Sequence, residues 1–392
     1  MLKRKITFWR VVLAILLAAG ACATVLRFAR GLGASTHLTD DFPWGLWIGF
    51  DVMCGVMLAA GGFTLTAAVY LFNLMKFKPI VRPTVLTAFL GYLLVVVALL
   101  FDLGRGYRIW HPLVMWNPRS VMFEVAWCVT LYTTVLSLEF SGVLFEHFHL
   151  YKLLRLRRMI LIPLVIAGVM LSTLHQSSLG SLYLIVPNKL HPLWYTPLLP
   201  VLFFLSAICV GLAMTIFESS LSSKHLHKQL ELPLIQALGR TLLVMLCVYT
   251  VVRFQDLLHR GVFHVLSKGG WEVWLFGLEV LLVSVAPIGL LLVPKVRESA
   301  KGLYLAAVLC LLGFVTNRMN VAITGMEGSG RQQYIPKWTE MSVTLAIIAF
   351  GFLVFALAAR YLPIFSHDVA SPAIEKSQEV QAEYLELSHV EE

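Results

Sequence analysis

Ten long apolar runs, separated by short polar, basic or aromatic stretches, take up most of the 392 residues. They fall at approximately 8–30, 45–72, 83–104, 119–146, 158–175, 197–220, 234–258, 272–293, 302–323 and 339–361. About 20 apolar residues cross a bilayer's hydrocarbon core as a helix. Several runs exceed about 30 Å at 1.5 Å per residue, which predicts tilt or extension past the core. The pattern therefore predicts an all-α polytopic membrane protein with about ten transmembrane helices. The first run follows a basic start, "MLKRK", like a signal peptide. It is longer than the usual apolar region of such a peptide, and "ACA" is a weak cleavage site, so it reads as an uncleaved first span. The stretch from Ser366 is polar and acidic and is expected to be disordered.

Composition agrees with this pattern. Residues are 58% hydrophobic and 14% charged, against about 25% charged in soluble domains. The formal net charge of +9 lies in short clusters between apolar runs. That placement points to orientation in a membrane rather than to nucleic-acid binding. With the N-terminus cytoplasmic, the inner segments carry Lys3, Arg4 and Lys5; Lys76, Lys78 and Arg82; Lys152, Arg155, Arg157 and Arg158; Lys224 and Lys228; and Lys295, Arg297 and Lys301. The outer segments carry fewer cations, which favours both termini inside. The outer segments are also long and rich in Trp, Tyr, Pro and Gly, as in "GRGYRIWHPLVMWNPRS" and "HQSSLGSLYLIVPNKLHPLWYTP". Loops of this length point to a partner on that face.

The six cysteines stand singly inside apolar runs, without a C-x-x-C pair. Iron–sulfur clusters and structural zinc need clustered ligands, so no metal centre is expected in this chain. Histidines fall in loops, tails and helix ends, and no two stand deep in facing helices. Axial ligation by His175 with His111 or His191 is the nearest approach to a b-type haem site, and no haem is expected.

The chemistry lies in polar residues within the spans, where a charged group costs several kcal/mol. Asp51 sits about 10 Å into the second run from its outer end, Glu124 about 8–9 Å into the fourth, and Glu279 about 10–12 Å into the eighth. Asp102, His175, the pair Arg253 and Asp256, and Arg318 with Asn320 lie near outer ends of their runs. Intramembrane polarity thus converges on one leaflet, and Asp51, Asp102, Glu124 and His175 come from four consecutive runs. The fourth run keeps a second carboxylate, Glu139, fifteen residues after Glu124. That spacing is about 60° past four full turns, so the two point roughly the same way, about 22 Å apart along the axis. Titratable groups at two depths are what a proton route through a bundle requires.

Plainer roles compete with these. Glu139 could pair with the basic stretch Lys152 to Arg158. Asp102 with Arg105, and Arg253 with Asp256, are spaced i,i+3 for salt bridges. His175 could be a satisfied interface histidine, and Tyr92 is a mid-span phenol that needs a partner when buried. Arg253, Asp256, Glu279 and Arg318 read as a structural cluster of the later spans. A secondary transporter would also place polar clusters at bilayer depth, but no Gly/Pro-interrupted pair of segments stands out near the midplane.

Five stretches occurring in order, "DFPWGLWIGFDVMCGVMLAAGGF", "FDLGRGY", "SVMFEVAWCVTLY…LEF", "LHQSSLGSLYLI…KLHPLW" and "VYTVVRFQDL", resemble the NrfD/polysulphide-reductase family of membrane subunits. Within that family they are most similar to the HybB type, the integral membrane subunits of periplasmic [NiFe] hydrogenases. The resemblance runs from about Asp41 to Trp338. It implies two four-helix bundles, the second to fifth and sixth to ninth spans, with flanking helices. The implied divisions are residues 1–44 (first helix and outer loop), 45–196 (first bundle with the quinone site), 197–338 (second bundle), 339–365 (last helix) and 366–392 (tail). It further implies a haem-free subunit of a respiratory oxidoreductase in the bacterial inner membrane, not catalytic alone. Such a subunit binds menaquinone or another quinone near the periplasmic surface and receives electrons from a ferredoxin-like iron–sulfur partner, and through it from a hydrogenase or other redox subunits. Carried over by position, Tyr92, Asp102, Arg105, Glu124 and His175 would form the quinone pocket. Asp51, Arg82, Glu124 and Glu139 would form a proton pathway. Other complexes of the same family, fed by multihaem cytochromes or of the alternative complex III type, fit the same motifs.

Overall fold

A computed structural model of the chain describes residues 8–40, 42–186, 189–226, 231–327 and 333–365. The tail expected to be disordered, the basic start, and the cations at Lys228 and Arg331 lie outside these residues. Ten helices are long and apolar enough to cross a membrane: α1 (Phe8–Arg30), α2 (Trp47–Leu71), α3 (Met75–Asp102), α4 (Val121–His147), α5 (Tyr151–Leu184), α6 (Leu199–His225), α7 (Leu232–His259), α8 (Trp271–Leu292), α9 (Ala300–Glu327) and α10 (Trp338–Tyr361). No strand occurs among the described residues. The connections α1–α2, α3–α4, α5–α6, α7–α8 and α9–α10 gather at one end, called here the aromatic end. The short cationic connections gather at the other, the basic end.

Two helices are longer than the apolar pattern predicts, for reasons visible in the residues. The start of α3 lies at Met75 rather than near 83, because Pro79 falls in its first turn, where a missing N–H is harmless and φ is preset. Helix α5 runs 34 residues, about 51 Å, taking in the basic "YKLLRLRR" and the polar "HQSSLGSLYL". The first is a good helix former. The second, with three serines and a glycine, is held helical by its buried packing. Neither is apolar enough to register as membrane. Four wide-turn (π) stretches interrupt the spans: Trp47–Val52 and Ala67–Leu71 in α2, Leu281–Val285 in α8 and Asn320–Thr324 in α9. Two of them begin or contain intramembrane polar residues, Asp51 and Asn320, in keeping with the habit of π-bulges to fall at functional positions.

The helices pack α2 on α3, α3 on α4, α4 on α5 and α5 back on α2; likewise α6 on α7, α7 on α8, α8 on α9 and α9 back on α6. Small residues bring the two sets together. A Cβ on Gly211 of α6 would lie 3.0 Å from the Ala60 main chain of α2, so the two backbones meet almost directly. Such small-residue crossings are how membrane helices approach without a hydrophobic driving force. Helix α1 lies along α10, and α10 in turn covers α2 and α3. The flanking pair is therefore built into the body rather than appended to it.

Candidate functional site

Within α2–α5, a set of fully buried polar side chains lacks partners. Tyr92 (α3), Tyr132 (α4) and Ser172, His175 and Gln176 (α5) are each no more than 1% exposed. The hydroxyls of Tyr92, Tyr132 and Ser172, both ring nitrogens of His175 and the Gln176 amide oxygen have no hydrogen-bond partner. The rings pack tightly: Tyr92 meets Tyr132 edge-on at 4.7 Å between centroids and His175 at 5.8 Å. Gln176 is anchored by its amide nitrogen, which donates to the Val56 carbonyl of α2 at 3.2 Å. Helical spacing explains the grouping, since Ser172, His175 and Gln176 follow i, i+3, i+4 and share one face of α5. Buried polar groups are nearly always hydrogen-bonded, so this many orphans in one place mark a spot meant for a polar guest or water.

Glu124 stands at the rim of this set. Its Oε1 accepts a hydrogen bond from the Ser178 hydroxyl of α5 at 2.5 Å. Glu124 is itself exposed, while Cys128, one turn further along α4, is buried. Glu139, eight residues back from the basic end of α4, is 6% exposed and also faces α5. Its Oε1 lies 3.8 Å from the position a Cβ would take on Gly168. The Arg157 guanidinium of α5 donates to the Glu139 carbonyl at 2.7 Å and to that of Leu138 at 3.3 Å. Both acids of α4 thus address α5, as their fifteen-residue spacing requires. Tyr132 occupies the depth between Glu139 and Tyr92.

Glu139 also lines a cavity of about 140 Å³ at the basic end, enclosed by α2–α5 and shared with Tyr70, Arg82, Glu146 and Arg157. Arg82 pairs with Glu146 at 2.8 Å and donates to the Pro363 carbonyl at 3.2 Å. From this cavity to His175, polar side chains succeed one another through Glu139, Tyr132 and Tyr92.

Three of the expected site residues point elsewhere. Asp51 is buried, but its Oδ2 accepts from Thr344 of α10 at 2.7 Å. It lines a separate, almost wholly apolar slot of about 300 Å³ between α2, α3, α6 and α10. Asp102 faces the buried Arg27 of α1, whose guanidinium caps the end of α3 by donating to the Phe101 and Leu103 carbonyls at 2.7 and 2.9 Å. Arg105 is exposed and makes no bond to Asp102. The i,i+3 pairing read from sequence is replaced by a cation from α1, because the chain leaves the helix after Asp102 and i+3 geometry ends there. The convergence expected around one bundle is therefore a convergence in depth only.

The second cluster likewise differs in its pairs. Arg253 donates to the Leu193 carbonyl at 2.9 Å and lies 3.8 Å from Glu279, while Asp256 pairs with Arg260 at 2.8 Å and accepts from Thr196 at 2.7 Å. The expected Arg253–Asp256 bridge is absent because i,i+4 Arg260 and the loop after α5 supply better partners. Glu279 accepts from Trp194 Nε1 and Asn317 Nδ2, each at 2.7 Å, and from Asn320 Nδ2 at 3.0 Å. Arg318 donates to Ser206 at 2.7 Å and stacks over Phe203 at 3.4 Å. Most of this cluster is partnered, which gives it a holding role between α6, α7, α8 and α9.

Pattern reading noted Gln176 and Ser178 only as part of the polar run "HQSS" beside His175, and it passed over Ser172 and, in α6, Glu218. Glu218 is 7% exposed, accepts from Thr87 at 2.7 Å and lines the apolar slot with Asp51. A lone carboxylate in the run "AMTIFESS" was its signal. Among the described residues, His175 is the one buried histidine of the spans, and no group of three or more His, Cys, Asp and Glu is arranged to hold a metal ion.

Ten candidate spans make this a polytopic membrane protein; residues 34–327 match the family Polysulphide reductase, NrfD, and the chain belongs to it. Among its relatives, the probable Ni/Fe-hydrogenase 2 b-type cytochrome subunit of Escherichia coli K12 is 34% identical, covering 87% of this chain and 88% of that protein. The menaquinone reductase integral membrane subunit of Nitratidesulfovibrio vulgaris Hildenborough is 30% identical, covering 93% of each. A further protein of the same organism is 40% identical over 92% of this chain and 95% of its own length.

Proposed function

We propose that this chain is the quinone-reactive membrane subunit of an anaerobic respiratory oxidoreductase. It would sit in the bacterial inner membrane with both termini cytoplasmic and the aromatic end periplasmic. The observation that carries the reading is the orphaned set Tyr92, Tyr132, Ser172, His175 and Gln176. These are hydrogen-bond donors and acceptors without partners, close behind a carboxylate at the rim, and they fit a ligand with carbonyl oxygens. The relatives named for hydrogenase and menaquinone reductase support the same class. Electrons would arrive from a ferredoxin-like iron–sulfur partner at the periplasmic face, fed by a hydrogenase. The isolated cysteines offer no cluster of this chain's own.

A quinone, when bound, takes two electrons and two protons. His175 is placed to offer a ring N–H to one carbonyl oxygen, and a donor there needs a proton supply. Ser178 holds Glu124 in position at the rim, where a carboxyl can take a proton and pass it inward. Tyr92 and Tyr132 carry hydroxyls along the line from Glu139, and Arg157 fixes the Glu139 main chain. Arg82 and Glu146 would admit protons at the cytoplasmic cavity. On this reading proton uptake from the cytoplasm accompanies electron entry from outside, and energy is conserved. Asp51 and Glu218, two buried carboxyls lining one slot, favour a second route between α2, α3, α6 and α10. Asp102 and Arg105 shape the outer loop rather than the pocket.

The packing of α2–α5 and of α6–α9 against one another supports the proposed division into a quinone-bearing bundle (45–196) and a holding bundle (197–338). The haem-free reading is part of this proposal: among the described residues no second buried histidine stands with His175, whereas the E. coli relative is named a b-type cytochrome subunit. An optical spectrum of the purified chain that displays a reduced b-type band overturns the haem-free reading. For the quinone reading, Glu124→Gln is introduced into the complex as it is purified. Donor-to-quinone turnover should fall while donor-to-dye turnover stays at the wild-type level. Wild-type quinone turnover in the variant removes the role assigned to Glu124. Purification without any iron–sulfur partner points instead to a different complex or a transporter.

A further inference from the structure

The cavity at the basic end has more positive charge than its own acids use. Of its lining cations, Arg82 is engaged by Glu146 and Pro363, and Arg157 by the Leu138 and Glu139 carbonyls. Lys78, in the first turn of α3, and Arg158, two turns into α5, line the same hollow. No hydrogen bond or ion pair engages either among the described residues. Both are exposed and come from two different helices, α3 and α5, that line the one hollow, so an anion held there can be met from both. At about 140 Å³ the hollow has room for a phosphate group with water around it, and its lining is polar and apolar in equal measure.

Its surroundings identify the source of that anion. Leu154 and Leu161 of α5 line the hollow beside the cations. On the same stretch of α5, Leu156, Met159 and Ile162 are 53%, 68% and 46% exposed. A soluble phosphate compound would meet charge alone, whereas a membrane lipid would meet charge at its head and this apolar strip along its chains. Basic hollows between spans at the membrane surface are suited to anionic headgroups. We propose that the hollow between α3 and α5 binds the phosphodiester of an anionic phospholipid, gripped by Lys78 and Arg158, with its acyl chains along the exposed face of α5. The lipid is a structural ligand at the foot of α2–α5. Glu139 lines the same hollow, and the space that the headgroup does not fill is left to water. The site does not rest on the quinone reading, because it uses neither the Tyr–His set nor Glu124.

The test uses the full chain in its complex, reconstituted in nanodiscs of phosphatidylcholine containing a small fraction of phosphatidylglycerol or cardiolipin. Lipids retained after extraction are counted by native mass spectrometry. Wild type should retain the anionic lipid over phosphatidylcholine, and millimolar inorganic phosphate should not displace it. Each basic side chain beside an anionic headgroup contributes a factor of about five in binding, so K78Q/R158Q should weaken retention about 25-fold and either single variant about fivefold. The control K152Q/R155Q removes two exposed cations of the same α5 segment that do not line the hollow, and it should retain the lipid. Equal loss in the control pair means diffuse attraction to the surface and overturns the proposal. Displacement by inorganic phosphate, or indifference between anionic and zwitterionic lipid, overturns it as well. If the double variant fails to fold, the single K78Q variant carries the same comparison, since Lys78 makes no contact the fold depends on.

Discussion

Replacing Tyr132 by Phe separates a proton-relay role from a structural one, because the two roles predict opposite outcomes. The side chain is 1% exposed, and its ring meets Tyr92 edge-on at 4.7 Å. Its hydroxyl has no hydrogen-bond partner. Phe keeps the ring, its burial and the aromatic contact, worth about 0.5–1.5 kcal/mol. What leaves is one oxygen that lies near Ser172 and the Phe63 main chain but makes no well-formed hydrogen bond to either. A buried hydroxyl left without a partner costs about 1–3 kcal/mol, so Y132F should match or exceed wild-type stability by up to about 2 kcal/mol. The function should move the other way. Positioned proton transfer contributes about 10²–10⁴-fold, and on the proposed route Tyr132 is the residue between Glu139 and Tyr92. Donor-to-quinone kcat in the purified complex should fall about a hundredfold with KM unchanged, while donor-to-dye turnover stays constant because the dye takes electrons upstream. A relay that acts after binding should show that kcat-only signature. Unchanged quinone turnover refutes the relay. A stability loss above about 1 kcal/mol in thermal or denaturant unfolding refutes the claim that the hydroxyl is unpartnered.

Other perturbations test the remaining parts of the argument. E139Q should abolish quinone-linked turnover while E218Q retains most of it, placing the main proton route within α2–α5; the reverse order in turnover assays moves the route to the slot shared by Asp51 and Glu218. E279L leaves Trp194, Asn317 and Asn320 without their acceptor and Arg253 without its nearby charge, and should destabilise the protein by about 3–5 kcal/mol in thermal unfolding. G313A would put a Cβ 2.6 Å from the Leu282 main chain of α8, forcing α8 and α9 apart at about 1–3 kcal/mol. G277A meets nothing within 4 Å and should be neutral or gain up to about 1 kcal/mol of helix stability in the same assay.

The membrane class, the number of candidate spans and the position of each polar residue along its own helix were legible in the sequence alone. Those properties depend on local quantities: apolar run length, rise per residue and the sign of flanking charge. It also placed Glu124 and Glu139 on one side of α4, because angular spacing within a helix is equally local. The tertiary structure decided which neighbour each polar residue meets. Asp51 reaches Thr344 of α10, Asp102 faces Arg27 of α1, and Asp256 chooses Arg260 over Arg253; in the first two cases the partner belongs to a flanking helix far away in the chain. Ser172 and Gln176 became candidates for the site only when α3 and α4 were laid against them, since an orphaned hydroxyl or amide cannot be told from a bonded one in a string of letters. Depth comes from counting along one helix, whereas azimuth and partnership come from how ten helices pack, and packing is set by small-residue contacts such as Gly211 on Ala60 that no single run reveals.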